Sequence, residues 1–488
     1  MRFPPLLDYC GLTIVMDNPS RFDVTRERLA TGSAGDALNE GLSTFTTRAR
    51  CDVRTLDSMK EGLYEGTKCI LFLGKRCIDF VGLDYHLNEC RGSVFRYRNI
   101  PCIFSYLPQD AVDPIDHEGK ANKLAYVYDE DAEDKSSNDK SSHGKTSRQN
   151  WMFWFKADVT KAARIAHNDT RGLVNYKTDI FPNSKNVIEI LTETKNEDLY
   201  LDIETDINCN ITCLGFALGG SPTYVIPFLR YDYRLGYSPK GFARIYRALA
   251  ICMSRNTIVA HNSMFDLLIL GYKYRLPFGN AVYDTMLAHH RCFPEVEKSL
   301  GHCVAFWLDE TYHKNDGVFM PHNAKQEEQL WIYNAKDVAT TRAVKNRIDH
   351  YAMTVSGLPE SIAQANSMVR PYLINSLQGI RYSQDELNRI RKKNARVMTQ
   401  QLRILRALAG KDINPNSNKD VPGYFYNDLG YTVLARSEKT GAPSCGAGEL
   451  YKMKLKHPDN AAIDTIMAFR KIKKENGMLK FNPWKELV

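Results

Sequence analysis

Leu199-Tyr200-Leu201-Asp202-Ile203-Glu204 is the stretch that most restricts what this chain can become. Its apolar residues alternate with the rest, and on a β-strand residues two apart share a face. Leu199, Leu201 and Ile203 therefore predict a face that another layer must cover. Asp202 and Glu204 share the opposite face. Two carboxylates side by side on a sheet surface present a site for a cation, because buried or crowded negative charge needs a counter-charge.

Two further elements bear acids in a similar setting. In His261-Asn262-Ser263-Met264-Phe265-Asp266 a short strand ends in a polar turn. Asp266 then falls in the first turn of a helix, where the helix dipole favours a carboxylate. In Tyr333-Asn334-Ala335-Lys336-Asp337 the tyrosine and the final aspartate lie four apart and share one helix face.

At 488 residues the chain is long enough for about two to four domains. Residues 129–150, DEDAEDKSSNDKSSHGKTSRQN, hold no large apolar side chain and read as a flexible loop or linker. We place it late in a first domain spanning 1–170. Short apolar runs at Leu12–Val15, Cys69–Leu73 and Cys102–Phe104 predict buried parallel strands there, hence an α/β domain. A second α/β block covers 186–352. It has strands at Leu199–Glu204, Ile211–Leu218, Tyr224–Pro227 and Thr257–His261, a helix from about Met264 and a long helix over Glu327–His350.

From 353 to 488 the pattern is mainly helical. Ser383-Gln384-Asp385-Glu386 is a capping box and Gly410 a helix stop. Between them Leu387, Ile390, Met398, Leu402 and Leu405 approximate an apolar stripe among many basic residues. The fold class is thus multidomain α/β with a helical C-terminal region.

The 12 cysteines include no CxxC pair, and Cys209 and Cys213 have no second pair to complete a zinc site, so reduced thiols are expected. No apolar run approaches the roughly 20 residues of a membrane span, and the N-terminus lacks a signal-peptide core, so the expected location is the cytoplasm and no membrane partner is expected. A net charge of +8 is mild for this length. Where the charge sits matters more than its sum.

The order and spacing of the acidic elements, DxE on a strand, N-x-x-x-D about sixty residues on and Y-x-x-x-D about seventy beyond, resemble the proofreading 3′→5′ exonuclease of family A DNA polymerases, the DEDD type with tyrosine. IVAHNSMFDLLIL, YDTMLAHH and KSLGHCVAFWL agree with it, and the resemblance covers roughly 186–352. It implies an RNase H-like fold and two-metal hydrolysis of DNA 3′ ends. Mg²⁺ or Mn²⁺ would be held by oxygen ligands. Asp202 would bridge both ions, Glu204 and Asp337 complete one site, and Asp266 serve the other. Tyr333 would orient the attacking water, since a phenol near pKa 10 is a poor base at neutral pH. Catalytic residues are thus Asp202, Glu204, Asp266, Tyr333 and Asp337. His261, Asn262 and Phe265 are expected to contact substrate. Asp284 matches no metal position and is read as structural.

Residues 414–420, 440–444 and 457–479 are similar to the thumb of the same polymerases, which grips the duplex backbone. Arg389, Lys392, Lys393 and Arg396 are the expected phosphate contacts there. The implied partners are single-stranded 3′ ends and primer–template DNA. Fingers and palm are missing from this chain, so a separate palm-and-fingers chain is expected, docking on an apolar terminal surface that includes Phe469, Met478, Phe481 and Trp484. Alternatives are a piece of a complete DNA polymerase, or a stand-alone RNA or DNA exonuclease.

In the first domain Asp17-Asn18-Pro19, Gly32-Ser33-Ala34-Gly35 and Tyr106-Leu107-Pro108 resemble the iron–sulfur-type (family 4) uracil-DNA glycosylases. Asp17 stands where that family has glutamate, Met16 replaces a glycine and Leu107 replaces a histidine. Cys10, Cys69, Cys77, Cys90 and Cys102 are not paired as a cluster would need. A degenerate domain without base excision is expected. Phage polymerases of this kind can carry such a domain, so the expected setting is the cytoplasm of a phage-infected bacterium.

Overall fold

The computed structural model describes residues 2–17, 30, 32–108, 148–171, 174, 176–193, 195–279, 281–436 and 441–479. The chain forms two compact units, Met1–Gln378 and Gly379–Val488. The first unit holds two six-stranded mixed sheets.

The first sheet contains β1 (Arg2–Phe3), β2 (Leu12–Met16), β3 (Asp52–Thr55), β4 (Cys69–Leu73), β5 (Val94–Tyr97) and β6 (Ile100–Ser105). Their order is β1-β3-β2-β4-β6-β5. The four central strands are parallel, and β1 and β5 close the edges antiparallel. Every residue of β2 and β4 is buried. Their runs, apolar but for Thr13, fit strands covered on both faces. Leu12, Ile14, Leu71 and Leu73 pack beneath α1 (Gly32–Leu42) and α2 (Arg148–Ala166). Ile70, Phe72 and Phe104 join a second core with Trp154 and, from further along the chain, Val296, Phe293 and Phe306. The first sheet therefore shares a core with the helical stretch that follows the second sheet in the chain.

The stretch expected as a loop over 129–147 lies outside the described residues, as do Asn18, Pro19, Phe481 and Trp484. Residues 148–150 already belong to α2. Asp17 follows β2 and accepts the Arg76 N–H at 2.9 Å. Tyr106 stacks on Trp151 at 4.8 Å, and Leu107 packs half-buried against the first core. The thiols of Cys10, Cys69, Cys77, Cys90 and Cys102 are all buried.

The second sheet runs β12-β11-β8-β9-β10-β7. It is built from β7 (Thr178–Ile180), β8 (Asp198–Thr205), β9 (Ile211–Leu218), β10 (Thr223–Pro227), β11 (Thr257–Ala260) and β12 (Val282–Asp284). Strands β8, β9 and β10 form an antiparallel meander, while β11, β12 and β7 add in parallel. The alternation in β8 takes effect as its spacing predicts. Leu199, Leu201 and Ile203 join the core made with α3 (Ser184–Glu193), α4 (Pro239–Arg255) and α5 (Ser263–Tyr272).

The opposite face of that sheet is covered by one long helix. Next in the chain come α6 (Thr285–Cys292), α7 (Leu300–Trp307) and α8 (Ala324–Ala352). Asn323 caps α8 by accepting the Gln326 N–H at 3.0 Å. Leu330 and Ala335 of α8 pack on Cys213 and Val225, and Val338 packs on Tyr200 and Ala217. The unit ends with α9 (Leu358–Ser367) and α10 (Val369–Gln378).

The second unit opens on α11 (Gln384–Ala409). Ser383 accepts the Glu386 N–H at 3.2 Å, and Gly410 ends the helix at φ +69°. Only part of the predicted stripe faces inward. Asn394 and Leu405, eleven residues apart on one line of the helix, are buried, and Asn394 bonds Asn476 at 2.9 Å, whereas Leu402 lies to the side of that line and is exposed. Leu405 meets Ile463 and Ile466 of α13 (Ala461–Met478), beside α12 (Ala447–Lys456). Phe469 continues the inward face of α13 and is buried within this unit, so it does not belong to an exposed terminal surface. Met478 is exposed.

Candidate metal centre

Asp202 and Glu204 leave β8 toward α8. The approach of that helix depends on Gly215, which sits opposite Asp202 in β9. A methyl group at Gly215 would meet Asn334 Oδ1, and Val338 Cγ2 at 2.9 Å. With only a hydrogen there, Asn334 reaches the strand. Its Nδ2 donates to Asp202 Oδ2 at 2.7 Å and to the Asp202 carbonyl at 3.2 Å. Asp337, one turn further along α8, then stands over the same carboxylates. Asp202, Glu204 and Asp337 each offer an oxygen within 4.8 Å of the other two. Among the described residues this is the single group of three or more His, Cys, Asp or Glu side chains able to share an ion.

Asp266 stands on the first turn of α5, buried, and accepts the Ile203 N–H at 3.0 Å. It thus braces the strand between the two acids. It is not part of the three-carboxylate group, although its charge is felt by Glu204.

The turn that delivers Asp266 is fixed by Asp284. Asn262 adopts a left-handed φ of +60°. Asp284 accepts the backbone N–H of Asn262 at 3.1 Å, and those of Ser263 and Met286 at 2.8 Å each. Its place is therefore structural. His261 is turned into the protein: Nδ1 bonds Thr285 Oγ1 and Nε2 bonds the Lys298 carbonyl, both at 2.9 Å. Asn262 and Phe265 are exposed beside it.

Burial and crowding set the charge at the centre. Burial first, and then the Asp337 charge, pushes the Asp202 carboxyl up to about 7. Burial, then Asp202 and Asp337, pushes Glu204 up to about 10. Asp266 is also held well above the ordinary carboxylate range by burial and by Asp202. Asp337 goes the other way. Burial would raise it, but the Lys314 ammonium and His313 together hold it below the usual range. Lys314 Nζ lies 2.6 Å from Asp337 Oδ2 and 3.0 Å from the Tyr333 hydroxyl. His313 Nε2 lies 2.9 Å from Asp337 Oδ1. Burial and Asp337 raise the Tyr333 phenol, which makes it a still poorer base.

This donor set fits a hard divalent cation. It consists of oxygen atoms alone, and two acids are pushed toward protonation by a shortage of counter-charge that a cation would supply. Asn334, His313 and Lys314 belong to the centre but were not singled out from the sequence. Asn334 lies inside the quoted Tyr333–Asp337 motif, whereas His313 and Lys314 lie in a segment without periodicity.

Beside the centre is a cavity of about 160 Å³ lined by Asp206, Ile207, Tyr233, Phe319, Met320 and Trp331, among others. Ile207 and Tyr233 are about three-quarters exposed, at 77% and 74%. Phe319 packs edge-on against Tyr333 at 5.5 Å. In the second unit Arg389, Lys392, Lys393 and Arg396 are exposed on the outer face of α11, with Arg389 paired to Glu386 at 2.7 Å.

No protein-family model matches the sequence, and no curated protein matches it. Among solved structures the chain is similar to the POL domain of Pol1 from M. smegmatis, in complex with DNA primer-template and dNTP. That likeness has 13% sequence identity and a TM-score of 0.44, and covers 60% of this chain and 47% of that one. The chain thus spans about half the length of that solved chain, and the functional reading rests on the site geometry instead. No helix among the described residues is long and apolar enough to cross a membrane.

Proposed function

We propose that the chain is a metal-dependent 3′→5′ exonuclease that removes nucleotides from DNA ends. The observation that carries this reading is the convergence of Asp202, Glu204 and Asp337 on one point at the strand–helix junction, with the Tyr333 hydroxyl tied to the same ammonium as Asp337. Bound divalent ions would supply charge neutralisation for a phosphodiester and a water of lowered pKa. Asp202, Glu204 and Asp337 would hold such ions, with Asp266 as the outer ligand.

The chain's own side chains do the rest. Asn334 fixes the Asp202 carboxylate with one donated hydrogen bond, so its free oxygen keeps a defined direction. Tyr333 presents a hydroxyl whose proton stays on at neutral pH, and so it orients a water instead of deprotonating one. The cavity lined in part by Tyr233, Phe319 and Trp331 offers aromatic faces on which terminal bases could stack. Exposed Arg389, Lys392, Lys393 and Arg396 are proposed to contact phosphates of a duplex. Proofreading beside a polymerase palm is the proposed setting, on the resemblance of the acidic motifs.

A 5′-labelled single-stranded oligonucleotide tests the reaction. With Mg²⁺ or Mn²⁺ present it is expected to shorten stepwise from its 3′ end, and EDTA is expected to stop it. Internal cuts, or cleavage that survives chelation, would remove the proposal.

A further inference from the structure

His313 and Lys314 reach the centre from a segment that has no helix or strand of its own. Residues 308–314 follow α7 as irregular chain, yet Asp309, Glu310 and His313 are buried. Irregular backbone is seldom buried, because its polar groups need partners that secondary structure would otherwise supply. Here the first sheet and its helix supply them.

Asp309 forms an ion pair with Arg164 of α2 and accepts the Arg171 N–H at 2.7 Å. Lys161, also on α2, donates to the carbonyls of Gly92 at 2.8 Å and Leu308 at 2.7 Å, and to that of Ala305. On the edge strand β5, Val94 donates its N–H to the Glu310 carbonyl at 2.9 Å. The Val94 carbonyl accepts the Thr311 hydroxyl at 2.8 Å. Tyr312 packs edge-on to Tyr85 at 5.5 Å. The next two residues are His313 and Lys314, which grip both oxygens of Asp337. An ionised carboxylate can only accept, so both side chains donate.

We propose that residues 308–314 form a strap that the N-terminal α/β layer holds rigid, and that His313 and Lys314 are positioning residues for Asp337 and Tyr333. The N-terminal layer then serves the nuclease centre as its outer support. This inference rests on the exonuclease reading of that centre. A ligand whose orientation is fixed by other side chains needs no reorganisation during the reaction, and loosening it costs turnover more than substrate binding.

The test uses the full chain. In Lys314→Ala, kcat for 3′ nucleotide release is expected to fall about 10–100-fold with KM changed less than about threefold. Lys314→Arg keeps the charge and donors and is expected to restore kcat to within about fivefold of wild type. Arg164→Met removes the ion pair to Asp309 and touches none of Asp202, Glu204 and Asp337. It is expected to speed amide exchange in 308–314 and to lower kcat about tenfold. Thr311→Val removes an exposed hydroxyl without threatening the fold, and is expected to lower kcat a few-fold.

Unchanged kcat in Lys314→Ala overturns the proposal. So does a strap loosened by Arg164→Met or Thr311→Val without loss of kcat. If the wild-type chain releases no nucleotide, the exonuclease reading itself fails. The strap is then judged by exchange alone: loosening that spreads from 308–314 to the Tyr333–Asp337 turn supports it, and loosening confined to 308–314 overturns it.

Discussion

Tyr333 and Asp337 share one face of α8 and one cation, but their chemistry separates them. Asp337 is a buried carboxylate kept ionised by Lys314 and His313, while Tyr333 is a neutral phenol touching the same ammonium at 3.0 Å. Tyr333→Phe keeps the ring against Phe319 and removes a single hydroxyl. It is expected to lower activity about 10–1,000-fold with Mn²⁺ affinity close to wild type. Asp337→Ala is expected to lose Mn²⁺ affinity as well. Calorimetric titration of both variants decides the matter, and equal loss of metal in the two would show that Tyr333 acts as a ligand. At this scale the acids were legible, because each sits at a fixed offset within a periodic element. Asn334 was readable only as part of a motif. His313 and Lys314 were not legible, because an irregular segment has no period to say which way its side chains point.

A single missing methyl group sets the fit between β9 and α8. A Cβ at Gly215 would run into Asn334 and Val338, so Gly215→Ala must push the helix away from the strand. Overpacking of this kind costs about 1–3 kcal/mol. The displacement acts where Asn334 holds Asp202, so Gly215→Ala is expected to lose activity well beyond its loss of stability. Denaturant unfolding beside a rate measurement checks this. A variant as active as wild type would show that the helix approach is not critical. The strands themselves were legible: β2, β4, β8 and β9 follow from apolar runs or alternation, and the ends of α11 from Ser383 and Gly410. The need for Gly215 was not, because it arises from a residue more than a hundred positions away. Leu402 was misplaced because it lies at the margin of the face that Asn394 and Leu405 turn inward.

For the molecule as a whole, the carboxylate centre links stability to pH and metal. Burial and the neighbouring carboxylates push the Asp202 and Glu204 carboxyls of the folded chain up to about 7 and about 10. In an unfolded chain both titrate near about 4. From about pH 4 up to those folded values the folded state holds more protons, so the stability of the metal-free chain falls as pH rises across that window. A divalent ion displaces those protons, so Mn²⁺ is expected to raise Tm more at about pH 8 than at about pH 5. Thermal scans at both values test this, and an equal shift would contradict it. The N-terminal layer is expected to show no uracil excision, since Leu107 is an apolar side chain packed against a core and cannot donate to a departing uracil anion. Alkali-labile sites in uracil-containing duplex, lost in Asp17→Ala, would contradict that. The attachment of this layer to the carboxylate centre was not legible, because it rests on contacts between residues far apart in the sequence, such as Arg164 with Asp309. Whether Asp202, Glu204 and Asp337 form a nuclease centre is decided by the rate of mononucleotide release from a 3′-labelled single strand. Asp202→Ala, folded as wild type, is expected to release label at least about a thousandfold more slowly. A rate near that of wild type would contradict it.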